Sequence, residues 1–177
     1  MDADFAAAAA EWHDFFAAVA GAAATLVGLL FVALALRPAI VADDGPAGLR
    51  AWAGQTFHSF LAVLAIALVA LIPAASPRGL AITLVALGAQ GAARVVADLR
   101  RARTDPDPAW RGRRALWHFA APAAAYATCL WAAAEAWGGD AAALGWLVAV
   151  IFLLVMGAAG SCWDLLKAIG ARQRPEP

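Results

Sequence analysis

Five windows of about twenty apolar residues dominate this chain, at roughly 15–36, 53–73, 80–99, 116–137 and 142–166. A helix needs about 20 residues, rising 1.5 Å each, to cross the hydrocarbon of a bilayer. These windows are apolar on every side, so they offer no polar face to water. Composition agrees: 64% of the 177 residues are hydrophobic and 15% charged, and mean hydropathy is +0.72. Soluble domains lie near half apolar and a quarter charged. The expectation is an all-α integral membrane protein, one domain over 1–177, with five transmembrane helices in a compact bundle.

The connections bound this bundle. RPAIVADDGPAGLRA (37–51) reads as a loop and PAASPRG (73–79) as a tight turn. RRARTDPDPAWRGRR (100–114) holds two Asp-Pro steps and cannot be helical throughout. GGD (138–140) is a minimal turn. The N-terminal MDADFAAAAAEWHDFF carries four acids where a signal peptide would carry bases, so the first window is expected to stay as a permanent span.

An odd number of spans puts the two ends on opposite sides, and the basic residues choose between orientations. With the N-terminus outside, the inner segments hold eleven Lys or Arg and the outer ones only Arg78, with Arg94 inside a span. Trp12, Trp137 and Trp146 then fall at outer ends, and Trp52, Trp117 and Trp163 at inner ends, as an interfacial belt requires. Twelve of the thirteen basic residues are Arg amid abundant Ala, a composition expected of a GC-rich bacterial genome. The expected location is the bacterial cytoplasmic membrane.

Polar residues inside the spans gather near the inner face. Gln55, His58, Ser59 and Ala62 share one side of the second window at i, i+3, i+4 and i+7. Gln90, Arg94 and Asp98 form a stripe at the end of the third. His118 opens the fourth, and Ser161, Cys162 and Asp164 close the fifth. Three arrangements fit: an Arg94–Asp98 contact with snorkelling, a cross-helix network joining Arg94 to Asp164 through Gln55 and Gln90, or a path for an ion or solute. A metal or haem site needs converging ligands, and no His-x3-His spacing occurs within one helix. No cofactor or metal is expected, and Cys129 and Cys162 read as free buried thiols. Glu135 lies at the outer end of the fourth span, where headgroup exposure competes with proton binding.

Lipid gives helices no hydrophobic reason to associate, so small residues must allow close approach. Gly21, Thr25 and Gly28 mark such a side on the first span, Gly88 and Gly91 on the third, and Gly157 and Gly160 on the fifth. The Thr25 hydroxyl is expected to return to a carbonyl one turn back. Pro122 is expected to kink the fourth span.

GAAATLVGLLFVAL (21–34), GQTF (54–57) and SCWDLL (161–166) resemble segments of a group of small bacterial integral membrane proteins, some labelled as modulators of the FtsH membrane protease. That resemblance implies a multi-helix inner-membrane protein and carries no catalytic residues. The favoured function is non-enzymatic: an assembly partner or regulator working through helix contacts, with a second copy or another membrane protein. An oligomeric ion or small-solute channel is the alternative. An enzyme would have to be built from Cys162, His58 and Asp164. The Arg-rich segment 100–114 suits anionic lipid, and no nucleic-acid partner is expected.

Overall fold

The computed structural model describes residues 2–36, 47–72, 76–104 and 113–172, and these form six helices with no strand among them. They are α1 (Asp2–Glu11), α2 (His13–Ala35), α3 (Ala47–Ala70), α4 (Pro77–Thr104), α5 (Arg113–Trp137) and α6 (Ala142–Arg172). Expectations placed on 37–46, 73–75, 105–112 and 173–177, and on the side chain of Trp117, lie outside the described residues.

Among the described residues, four helices are long and apolar enough to cross a membrane: His13–Ala35, Trp52–Ala70, Pro77–Thr104 and Ala142–Asp164. The fourth expected span falls on α5, which has 25 residues but is not among the four. Its sequence explains the difference, because His118, Pro122, Tyr126, Trp131 and Glu135 lower its hydropathy. Large apolar side chains cover the exterior: Phe31, Phe152 and Met156 are each more than 60% exposed. A surface of that kind suits contact with a lipid bilayer.

The turns follow from local chemistry. Before α4, Ser76 caps the helix: its hydroxyl accepts from the Gly79 amide at 3.0 Å, with Pro77 in the first helical position. Gly139, at φ 79°, ends α5 in the left-handed conformation that glycine adopts without penalty. Asp140 then accepts from the Ala142 amide at 2.8 Å and starts α6. The turn expected at 138–140 forms, whereas 73–75 of the turn expected at 73–79 lie outside the described residues and 77–79 are helical, as are 47–51, 100–104 and 113–114, expected in loops.

Helices α3, α6, α5 and α4 form a ring in that order, and α2 packs outside it on α3. Alanine dominates the inner side of α5: Ala125, Ala132 and Ala136 are fully buried and Ala133 nearly so. The Cys129 thiol, also buried, donates to the Leu84 carbonyl of α4 at 3.5 Å. Opposite, Gly88 leaves space for Leu130, whose Cδ2 would sit 2.8 Å from any Cβ at that position, and Gly91 receives the ring of Tyr126. On the other flank, Gly157 of α6 faces Ala121 and Pro122. By contrast α3 and α4, which should close the ring, touch only sparsely.

Helix α1 was not expected. Its Phe5 is 3% exposed and joins the core at the end where α3 finishes and α4 and α6 begin. With Leu80 and Leu144 it lines a cleft of about 370 Å³. Trp12, Phe15 and Phe16 cluster at the junction between α1 and α2.

A methyl at position 91 would strike the Tyr126 ring, whereas one at position 28 would meet nothing within 4 Å. Gly91→Ala is therefore expected to lower stability by about 1–3 kcal/mol, the usual cost of overpacking. Gly28→Ala should leave it unchanged or slightly raised. Thermal unfolding of the detergent-purified protein checks this, and equal effects would refute the packing.

Candidate functional site

The polar residues expected at the inner end divide into two groups, because the first turns of α3 carry them on two sides. His58 turns toward α4, while Gln55 and Ser59 turn toward α5 and α6. At 100° per residue, His58 stands about 60° from Gln55 on one side and Ser59 about 40° on the other. One shared face therefore becomes two.

In the first group, His58 bridges α3 and α4. Its Nδ1 donates to the Gly54 carbonyl at 2.7 Å, since a carbonyl can only accept. Its Nε2 meets the Nη1 of Arg94, a group that can only donate. Arg94 is thus joined across helices, but to His58 rather than to Asp98 or Asp164. Asp98 pairs with Arg101 at 3.3 Å, and Asp164 with Lys167 at 3.7 Å. Both expected partners are occupied within their own helices. Beside the His58–Arg94 bridge, a cleft of about 210 Å³ runs between α3 and α4, with Gln90 and Tyr126 in its lining.

The second group lies among α3, α5 and α6. His118 is buried and its Nδ1 lies 3.2 Å from the Ser161 hydroxyl. The His118 ring also packs against Trp52, 5.9 Å between centroids. The buried Thr56 hydroxyl donates to the Trp52 carbonyl at 2.9 Å and neighbours the Cys162 thiol. Gln55 and Ser59 border a small crevice with His118, Pro122 and Ser161. Pro122, inside α5 one turn after His118, has no amide hydrogen to donate within the helix. A cleft of about 320 Å³ lined by Trp52, His118, Met156, Gly160 and Asp164 adjoins the group. Because His58 faces α4 while Cys162 faces Thr56, the trio Cys162, His58 and Asp164 is divided between the two groups.

The expected packing residues also separate. Gly88, Gly91 and Gly157 are filled by neighbours, whereas a methyl added at Gly21, Gly28 or Gly160 would meet nothing within 4 Å. Thr25 returns its hydroxyl to the Gly21 carbonyl at 2.9 Å, as expected of a threonine in an apolar helix. Sequence reasoning missed Tyr126 and placed Trp52 in an interfacial belt, whereas Trp52 is buried against His118. Tyr126 could have been found as the one tyrosine in the chain, at the depth where α4 offers Gly91. No protein-family model matches this chain, and neither a curated protein nor a solved structure does.

Removing either member of the His58–Arg94 bridge strands the other. His58→Phe and Arg94→Met are each expected to destabilise the fold by about 1–3 kcal/mol. The double variant should cost less than the two together by about 1 kcal/mol. Strict additivity in a double-mutant cycle would deny the bridge.

Proposed function

We propose that this chain is a five-span protein of the bacterial cytoplasmic membrane, with its N-terminus outside, that acts without catalysis as an assembly partner or regulator. One observation carries this reading: α2 meets the bundle on one side only. Phe16, Ala20 and Ala23 are buried against it, while Gly21, Thr25 and Gly28 lie on another side and remain exposed. Elsewhere the glycines that allow close approach have been used inside the protomer, as Gly88, Gly91 and Gly157 illustrate. In a bilayer, an exposed face of small residues lets another helix come near enough for backbone contact.

The fifth span in this reading is α5, which runs beside α4 and α6 over comparable length. Five crossings also place His58, Arg94, His118 and Ser161 at one depth, near the basic side. The resemblance to small bacterial membrane proteins, including some labelled as protease modulators, points the same way. Conduction calls for a continuous polar file, and two groups turned toward different neighbours support it less well than they support a fixed bundle.

Cross-linking tests the reading. Single cysteines at 21, 25 and 28, in a background with Cys129→Ala and Cys162→Ala, should give adducts with a second copy or another membrane protein. Cysteines at Ile82 and Phe152, which are exposed on α4 and α6, should give several-fold fewer. Equal yields from all five positions would show that α2 presents nothing beyond a lipid-facing surface.

A further inference from the structure

The sparse contact between α3 and α4 leaves a cleft of about 210 Å³, and its chemistry changes along its length. The helices run antiparallel, so His58 stands level with Arg94 and Ala65 level with Leu87, seven residues along each. At one end are the imidazole and guanidinium. One turn further, about 6 Å at 1.5 Å per residue, comes the exposed Gln90. Leu61 and Ala62 stand opposite it, and beyond it the lining is apolar, through Ala65 and Leu87.

Arg94 has donor capacity that the described residues do not consume. A guanidinium carries five N–H groups, and among the described residues its hydrogen-bond partner is the ring of His58. No described carboxylate lies within 4.0 Å of it, since Asp98 is paired with Arg101. The cation is exposed at the side of the bundle, and Asp98, the carboxylate whose charge reaches it, makes its direct ion pair with Arg101 instead. An arginine in that setting recruits a phosphate, which it can grip through two parallel N–H bonds.

We propose that this cleft binds one anionic glycerophospholipid of the inner leaflet. Arg94 takes the phosphate, the Gln90 amide donates to an ester carbonyl one turn deeper, and an acyl chain fills the apolar stretch. The polarity sequence of the cleft, cation then amide then hydrocarbon, follows that of the lipid. At about 210 Å³ it is smaller than the ~300–1,000 Å³ of sites that enclose a whole small molecule. It suits a ligand whose remainder stays in the bilayer. Arg100, Arg101 and Arg103 continue α4 beyond Arg94, and their charge disfavours a headgroup bearing its own ammonium, so an anionic lipid is preferred to a zwitterionic one.

This inference rests on the bilayer reading above, and the two fail differently. A carbonate wash that strips the chain from membranes overturns the bilayer reading. For the site, the full chain is purified in mild detergent and its unfolding temperature followed with added phosphatidylglycerol, phosphatidylcholine or inorganic phosphate. The expected result is a saturable rise of several degrees with phosphatidylglycerol and little with the other two. Arg94→Gln should remove that rise, as should Ala65→Phe, which fills the cleft and leaves every polar group in place. Arg100→Gln with Arg103→Gln should retain it. An equal response to phosphatidylcholine or to inorganic phosphate would overturn the proposal. So would a response that survives Ala65→Phe and Arg94→Gln but vanishes with the outlying arginines.

Discussion

Close approach along α5 is the contact on which the rest of the bundle depends. Ala125, Ala132, Ala133 and Ala136 put almost no side chain between this helix and its neighbours. Tyr126 and Leu130 enter spaces vacated by Gly91 and Gly88, and Gly157 receives α5 at Ala121. Dispersion acts at short range, so this fit supplies attraction where apolar surroundings supply none. Helices α4 and α6 are held to α5 in this way, and α3 is held chiefly to α6. The seam between α3 and α4 is what remains when three sides of the ring close tightly.

That seam explains why the polar residues form two groups. Where α3 meets α5 and α6, its side chains are enclosed: Thr56 and Ser59 are buried and His118 reaches Ser161. Where α3 faces α4, little packing intervenes, and His58 and Arg94 span the gap instead. Enclosed polar groups satisfy one another and fix helix register. Groups at an open seam retain the capacity to meet something outside the chain.

Much of this was legible in the sequence because helix period and segment length are local properties. The apolar windows became α2 to α6, and the Ser76–Pro77 and Gly139–Asp140 turns carry their own chemistry. Pairing was less legible. Arg94 and Asp98 are four residues apart and look like partners, yet Arg101 is as near to Asp98 along the helix and takes it. Gln55, His58 and Ser59 fit one face by spacing, but a face about 100° wide can meet two neighbours, and only the arrangement of helices decides which. Helix α1 escaped because a run of five alanines has no period, and Phe5 becomes a core residue only once α3, α4 and α6 supply the surface beneath it. The glycines divided similarly. Gly91 and Gly21 are equivalent in sequence and differ only in whether a tyrosine stands opposite.

Whether α5 crosses the bilayer decides the central claim, since it sets the number of spans and the side on which every polar group lies. Single cysteines at Ser76, Thr104 and Asp140, with the native pair replaced by alanine, can be treated with a membrane-impermeant maleimide in intact cells. The account predicts labelling at 76 and 140 from outside, and labelling at 104 only after permeabilisation. Labelling of 104 and 140 from the same side would leave α5 uncrossed and contradict the account.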